Sequence, residues 1–362
     1  MRIFVTGSTG FLGSQIALAL SEDPANEVYL LIRSRSELSA QERFQKLTRH
    51  WQRFGLVGSE QIDRLIAVEN IDEVSGTIDF LINCIADTQF DANILMSRNS
   101  NLHITQDLLR QCLARPESVR FIHFSTAFVV GKFRGLANET TECYKFNNSY
   151  ERTKYEAERS VVSSGLNYTI LRPSIVAGHS KTGYVYHFRV FYSLMRIWMT
   201  NRLPRAPLAK KAVVDCIPID VVTESLCAVL KTKNTENQTY NICIGSRGSR
   251  PSEIFEAAKF SFPKIKIQTA PAVVLKIIRI PLFRKWLGRS LSEAIDMFSP
   301  HFTYMNRCGV VFSGEKISLA LGDSMPKIPS FRHYGKTLFS FCEKSKWGKK
   351  PYDLKGSSSL QL

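Results

Sequence analysis

Long apolar runs are absent from this chain of 362 residues. Its longest apolar stretches, such as Val28 to Ile32, are far shorter than the roughly 20 residues that a membrane-spanning helix requires. The first residues, Arg2 to Thr6, do not have the layout of a signal peptide either. We therefore expect a cytoplasmic protein with no membrane span.

Clustered cysteine is also absent. The eight cysteines are scattered, they form no CxxC pair, and they do not group with the seven histidines. Structural metal sites and disulfide frameworks both bring such residues together at short spacings. The pattern therefore predicts no metal site and reduced cysteines, most of which are buried as small apolar side chains.

Acidic residues are scarce relative to basic ones, since 32 Asp and Glu face 48 Lys and Arg, which gives a formal net charge of +16. Nucleic acid is not an expected partner, because no zinc-finger or RNP signature accompanies the charge. The remaining interpretations are a phosphorylated cofactor, an acidic carrier protein, an anionic membrane surface, or a basic solvated surface without a partner.

Strand patterns alternate with helical patterns from residue 1 to 178. This alternation predicts an α/β fold with a doubly wound parallel sheet. Val213 to Pro218 is predicted to return to the sheet, and Tyr240 to Cys243 to be its last strand. The chain beyond is more irregular and mostly helical. The aromatic-rich stretch Tyr184 to Trp198 is typical of a helix packed in a core.

A glycine turn follows the first predicted strand. Gly7, Gly10 and Gly13 lie between that strand and a helical pattern that continues to Leu20. This arrangement presents a helix N-terminus to a pyrophosphate, and its glycines allow the turn, the approach of the phosphates and close helix packing. Thr9, Phe11 and Leu12 belong to the same predicted cofactor site.

The second predicted strand is followed by arginine, where an acidic residue would suit the ribose of NAD. A 2′-phosphate calls for a guanidinium instead, so Arg33, with Arg43 on the next helix, predicts NADP. Both arginines are equally consistent with ordinary surface charge. Asn70 and Ile71 are predicted to flank the adenine, with a plain turn as the alternative.

Tyr150 and Lys154 are four residues apart in a stretch with no helix breaker before Gly165. They should share one helical face, where the ammonium would lower the pKa of the phenol. Such a phenol is a general acid suited to protonating a carbonyl oxygen. Thr126, with Ser125 before it, ends a predicted strand upstream and would complete a hydroxyl, phenol and ammonium triad. A surface Tyr/Lys pair and a plain strand-end cap are the alternatives.

Other strand ends are predicted to meet the cofactor, because the C-terminal ends of parallel strands lie at one edge of a sheet. Ala86 follows the strand Phe80 to Ile85. Pro173 ends a later strand and fixes the chain direction, so Ser174 and Ile175 are expected to point toward the nicotinamide.

Together these motifs resemble the extended short-chain dehydrogenase/reductases. Finer details resemble the branch that holds fatty acyl-CoA reductases and the thioester reductase domains of carrier-protein synthases, and the similarity covers about residues 1 to 245. These details are Leu31 to Arg33, Ile122 to Thr126, Asn148 to Tyr150, Leu171 to Gly178, and Thr182-Gly183.

The resemblance implies an NADPH-dependent reductase of an acyl thioester, carried on CoA or on an acyl carrier protein. Tyr150 would donate the proton, Lys154 would bond the nicotinamide ribose, and Thr126 would hold the substrate oxygen. The product would be an aldehyde, which a second reduction would convert to an alcohol. Two alternatives stay open: a reductase or epimerase acting on a sterol, flavonoid or sugar nucleotide, and an NADP-sensing protein without catalysis.

The predicted domains follow from these assignments. They are an NADP-binding Rossmann domain at 1–178 and 212–245, a substrate-binding portion at 179–211 and 246–345, and a flexible tail at 346–362.

Two basic segments of the substrate-binding portion are candidates for partner contacts. Arg202, Arg205, Lys210 and Lys211 form a basic loop that would attract an anionic carrier. Residues 273–291 are apolar with interspersed basic residues, and Pro281 breaks any helix midway. This second segment either lies on a membrane surface as a peripheral contact, receives an acidic partner, or packs on its own domain.

Overall fold

The computed structural model describes residues 1–90, 92–115, 117–188, 191–200, 205–206, 208–209, 212–269 and 309–350. Its strands are β1 Arg2–Thr6, β2 Glu27–Leu31, β3 Leu65–Val68, β4 Phe80–Asn83, β5 Arg120–Phe124, β6 Gly135–Ala137, β7 Tyr168–Pro173, β8 Ile175–Ala177, β9 Arg205–Ala206, β10 Cys216–Pro218, β11 Gln238–Ile242, β12 Gln268–Thr269 and β13 Val310–Phe312.

Helices lie between most of these strands. They are α1 Phe11–Ser21, α2 Ala40–Arg53, α3 Ser59–Ile62, α4 Ile94–Arg98, α5 Ile104–Leu113, α6 Ser149–Val162, α7 Phe191–Met199, α8 Ile219–Lys231, α9 Pro251–Lys259, α10 Glu315–Leu321 and α11 Phe331–Lys344.

Seven strands form one parallel sheet in the order β11-β7-β5-β4-β1-β2-β3. The central strands are buried almost continuously, as in β5, where all five residues are buried. Such runs are typical of strands covered by helices on both faces. The predicted doubly wound α/β fold is therefore confirmed.

The predicted return of Val213 to Pro218 to this sheet is wrong. Only Cys216–Pro218 is a strand there, and it pairs with β8 in a separate two-stranded ladder. The reason is that β11 already occupies the edge of β7, through the register of Tyr240 with Leu171. β10 instead pairs with β8, the segment that continues the chain beyond Pro173.

A second apolar core lies in the C-terminal part of the molecule and the segment after β8. It joins α7, α9 and α11, and its large buried side chains include Tyr184, Trp198 and Phe339. The stretch Tyr184 to Trp198 was predicted to be one helix, but in the described residues only Phe191–Met199 is helical. The C-terminal part also contacts the N-terminal part of the chain, because β13 pairs in parallel with β6.

Two stretches for which the sequence made predictions lie outside the described residues. They are 273–291 and the last part, 351–362, of the predicted tail. The residues just before 351 are held by packing, because the Trp347 ring contacts the rings of Phe188 and Phe262. None of the helices within the described ranges is long and apolar enough to cross a membrane.

Candidate active site

A cleft of about 320 Å³ opens at the C-terminal ends of β1, β4, β5 and β7. Its walls combine the turn before α1, the strand ends and the first turns of α6 and α7. Most residues predicted to bind cofactor or to act in catalysis line this cleft. They are Gly7, Gly10, Phe11, Leu12, Gly13, Ala86, Ser125, Thr126, Tyr150, Lys154, Pro173, Ser174 and Ile175.

The glycine turn brings the backbone of the α1 N-terminus to the cleft. Gly7 has a positive φ of 69°, and a Cβ atom there would lie 2.9 Å from the Cys84 carbonyl. At Gly13 a Cβ atom would overlap the Gly7 carbonyl oxygen. Neither position therefore tolerates a side chain. No side chain of the described residues caps α1, which leaves the helix N-terminus available to an anion.

Tyr150 lies in the first turn of α6, and its side chain is close enough to that of Thr126 for the hydroxyl to lower the pKa of the phenol. Helix α6 begins where the Asn148 side chain accepts a hydrogen bond from the Glu151 backbone N–H at 2.9 Å. Thr126 follows β5 and is 4% exposed. The structure therefore brings the strand-end hydroxyl and the phenol to the same cleft.

The expected lowering of the Tyr150 pKa by Lys154 is not observed. Burial raises the pKa of Tyr150 to about 12, and the Thr126 hydroxyl lowers it by less than burial raises it. Spacing along a helix reveals which side chains are neighbours, but it does not reveal how far the pocket removes the phenol from water. With this pKa the phenol keeps its proton at neutral pH.

Lys154 is 1% exposed, and its Nζ donates to the Phe124 carbonyl oxygen at 2.6 Å. The Nε2 atom of His123 lies 3.4 Å from the same Nζ atom. Burial lowers the pKa of Lys154 to about 8, against the opposing effects of Glu158 and Cys84. The amine is therefore close to its titration midpoint at slightly alkaline pH.

Two contacts hold α6 against its neighbours. Arg172, on β7, donates from Nε and Nη2 to the Glu158 carboxylate at 2.9 and 2.6 Å, and both side chains are buried. On the other side Asn101 donates to the Thr153 hydroxyl at 3.0 Å. Asn101 belongs to a short π-helical turn, a feature that is frequent at functional sites.

The predicted adenosine residues lie away from the cleft lining. Arg33 is exposed, and Arg43 donates from Nη1 to the Arg33 carbonyl oxygen. Asn70 caps a short 3₁₀ helix, since its side chain accepts from the Asp72 backbone N–H at 2.9 Å. Ile71 is 2% exposed and packs in an apolar cluster, so its side chain faces away from solvent.

Thr9 is partly exposed in the glycine turn and is not among the residues lining the cleft. In the predicted basic loop, the side chains of Arg202, Arg205, Lys210 and Lys211 lie outside the described residues.

Sequence reasoning missed the aromatic wall of the cleft. Phe90, Phe124, Phe128, Phe191 and Tyr192 line it. Phe191 and Tyr192 belong to the aromatic-rich stretch that was assigned to core packing, and both are indeed almost fully buried. The only sequence signal for this wall was that stretch, whose pattern does not distinguish a core from a pocket lining.

These residues fit a nicotinamide dinucleotide. The α1 N-terminus suits a diphosphate, and the buried Ser125 hydroxyl, which has no hydrogen-bond partner among the described residues, faces the same cleft. A buried hydroxyl without a partner is costly, and a bound ligand would satisfy it.

Comparison with known proteins agrees with this geometry. The family model of the Male sterility protein matches residues 5–226. Nonribosomal peptide synthetase 5 of Gibberella zeae is 28% identical over 226 residues, and the match covers 55% of this chain and 2% of the synthetase. Fatty acyl-CoA reductase 2 of Mus musculus is 26% identical over 277 residues, and the match covers 63% of this chain and 54% of the reductase.

Among solved structures, the terminal R domain of the myxalamid PKS-NRPS biosynthetic pathway superposes with a TM-score of 0.81. The two sequences are 21% identical, and the match covers 97% of this chain and 92% of the R domain. At this identity the similarity establishes the fold. The chain spans only about half of the mouse reductase and a small part of the synthetase.

Proposed function

Because the chain belongs to the Male sterility protein family, in the fatty acyl-CoA reductase and thioester reductase branch of the extended short-chain dehydrogenase/reductases, we propose that it reduces an acyl thioester with NADPH. The observation that carries this proposal is the meeting of Thr126, Tyr150 and Lys154 at one cleft with the uncapped N-terminus of α1.

A bound nicotinamide cofactor supplies hydride to the carbonyl carbon. The chain supplies the proton and the orientation. The Thr126 hydroxyl and the Tyr150 phenol line the same cleft and can share one carbonyl oxygen between them, so Tyr150 donates its proton as negative charge develops there. The aromatic wall, through Phe128 and Phe191, suits the apolar part of an acyl substrate.

On a thioester, hydride and proton addition gives a hemithioacetal. Its carbon–sulfur bond then breaks, the hydroxyl proton is lost, the sulfur leaves as a thiol, and an aldehyde remains. Each turnover therefore consumes one NADPH and one proton. A second hydride and proton would convert the aldehyde to an alcohol.

The test follows NADPH absorbance against acyl-CoAs, acyl carrier protein thioesters, aldehydes, ketones and sugar nucleotides. We expect NADPH to be consumed with a thioester and thiol to be released, in equal amounts if the product is the aldehyde and with two NADPH per thiol if it is the alcohol. Consumption with a ketone or a free aldehyde but with no thioester would contradict the thioester proposal. That result would favour a reductase of small carbonyl compounds.

NADP preference rests on the end of β2. Arg33 is exposed there, Arg43 is held against its backbone, and the nearby Glu69 carboxylate accepts hydrogen bonds from Ser34 at 2.9 and 3.2 Å. The Glu69 carboxylate is thus already hydrogen bonded to Ser34, while the guanidinium groups of Arg33 and Arg43 are suited to a 2′-phosphate.

Replacing Arg33 with Ala should raise the Kd of NADPH while the Kd of NADH changes little. The expected loss is about 1.5 to 3 kcal/mol, or roughly 10- to 150-fold, because a hydrogen bond to a charged group disappears. Fluorescence titration with both cofactors measures it. Arg49→Ala, an exposed arginine on α2, is the control. An equal loss for both cofactors would show that Arg33 does not contact the phosphate.

The basic loop predicts a salt effect on carrier-bound substrates. Attraction between exposed charges is screened over about 8 Å at physiological salt. The KM of an acyl-CoA or carrier protein thioester should therefore rise with salt, while the KM of the matching free aldehyde stays nearly constant. Lys210→Gln with Lys211→Gln should raise the thioester KM about 3- to 10-fold at low salt, the effect of two exposed charge pairs.

The matched control replaces Lys231 and Lys233, two exposed lysines near the end of α8, the first of which pairs with Asp23. Replacing both of these lysines with Gln should leave the thioester KM unchanged. If both substrates respond to salt alike, or if the two double variants behave alike, the loop is an ordinary solvated surface.

A further inference from the structure

A chain of buried polar side chains lies behind Lys154, away from the cleft. It runs from Thr6 through Asn83 to His123, and all three are 0% exposed. Asn83 Nδ2 lies 3.3 Å from His123 Nδ1, and His123 Nε2 lies 3.4 Å from Lys154 Nζ. Polar groups that are buried this deeply can form hydrogen bonds only with one another. The direction of each hydrogen bond therefore limits the directions of the others.

The orientation of the Asn83 amide is determined by its neighbours. The backbone N–H of Ile85, which can only donate, points to Asn83 Oδ1 at 3.1 Å, and the Thr6 hydroxyl donates to the same oxygen at 3.0 Å. The other side of the amide is therefore its NH₂ group, which donates to the Thr105 hydroxyl at 3.1 Å and faces His123.

This orientation also determines the tautomer of His123. Because Asn83 presents N–H groups, Nδ1 of the ring must accept, so a neutral ring carries its proton on Nε2. That proton points at Lys154 Nζ. A charged ammonium has no lone pair to accept it, whereas a neutral amine accepts it and still donates to the Phe124 carbonyl.

We propose that His123 is a positioning residue for Lys154: it favours the neutral form of the amine in the free protein, and binding of the nicotinamide cofactor favours the charged form. The proposal rests on the proposed use of such a cofactor. A dinucleotide brings a diphosphate to the cleft, and negative charge near an amine favours the charged form. The ammonium beside Tyr150 is thus more populated when the cofactor is bound, and the difference is largest at alkaline pH.

The other groups that face Lys154 are consistent with this assignment. Glu158, on the same helix, favours the charged amine, but Arg172 on β7 neutralises it in a bidentate pair. Cys84, at the end of β4, is a neutral thiol because burial raises its pKa. Burial also lowers the pKa of His123 well below its ordinary value, with a further contribution from Lys154, so the ring remains neutral.

The first experiment needs no cofactor. The full chain is labelled with ¹³C at lysine Cε, and the Lys154 signal, identified by its loss in Lys154→Arg, is titrated with pH. We expect a midpoint near 8. In His123→Phe, which keeps an aromatic ring but removes Nε2, the midpoint should rise by about one pH unit, the shift expected when a hydrogen bond of ordinary strength is lost.

Thr105→Val is the matched control. It removes the other acceptor of the Asn83 NH₂ group and leaves the contact between His123 and Lys154 in place. Its midpoint should equal that of the wild type. A midpoint near 10.5 in the wild type, no change in His123→Phe, or equal shifts in both variants would overturn the proposal.

The second experiment uses the wild type alone, so it does not depend on the folding of a variant. NADPH binding is measured by calorimetry at pH 9 in two buffers of different ionisation enthalpy. With a free-enzyme midpoint near 8, uptake should approach one proton per site at pH 9 and fall to about a tenth at pH 7. Binding without proton uptake at pH 9 would contradict the inference, whereas failure of NADPH and NADH to bind would contradict the proposed function.

Discussion

Tyr150→Phe should lower kcat by about 100-fold or more while NADPH still binds with nearly unchanged Kd. The substitution removes the phenolic proton but very little volume, so the cleft keeps its shape and loses its general acid. Because the pKa of Tyr150 is raised to about 12, the phenol of the wild type is protonated throughout the neutral range. Ionisation of Tyr150 should therefore not reduce the wild-type rate below about pH 10.

Single-turnover measurement of NADPH oxidation with a thioester tests this expectation, and fluorescence titration tests cofactor binding. Tyr155→Phe is the matched control, since Tyr155 lies on the same helix and packs against Tyr144 and Phe146 outside the cleft. It should keep wild-type turnover. Near-normal turnover in Tyr150→Phe would mean that Tyr150 has a structural role only.

The other large effect is expected from the buried ion pair between α6 and β7. Arg172→Met should lower the free energy of unfolding by about 3 to 5 kcal/mol, because it leaves the Glu158 carboxylate buried and unpaired. In the wild type the Arg172 side chain is 9% exposed and that of Glu158 is 4% exposed. Urea unfolding, followed by circular dichroism, measures the change.

Two further variants separate pairing from packing. The double variant Arg172→Met with Glu158→Leu should recover most of the stability, because apolar residues can replace a buried ion pair at little cost. Arg152→Met removes the exposed pair with Glu156 on the same helix and should cost at most about 1 kcal/mol. If the double variant is less stable than Arg172→Met, the loss of stability in Arg172→Met does not come from an unpaired Glu158 carboxylate.

Local patterns predicted most of the residues that line the cleft. The glycine turn, the strand-end Thr126 and the Tyr150–Lys154 spacing each depend on residues close in sequence, so periodicity and turn chemistry are enough to place them. The parallel sheet followed from the alternation of strands and helices for the same reason.

Contacts between distant segments were not predictable in this way. Nothing near Arg172 indicates that Glu158 is its partner, and nothing near His123 indicates that it lies behind Lys154. The pairing of β10 with β8 depends on which strand already occupies the edge of β7. The pKa of Tyr150 depends on how deeply the whole cleft buries the phenol, which is a property of the assembled fold.

The pairing of β13 with β6 has a consequence for how the chain folds. Val310 lies beside Gly135, and Phe312 beside Ala137, so this ladder joins residues very distant in sequence and cannot form until most of the polypeptide has left the ribosome. Until then the edge of β6 is unpaired and open to association with other chains. Contacts of such long sequence separation also slow folding. The nascent protein should therefore be most prone to aggregation before its C-terminal segment is synthesised.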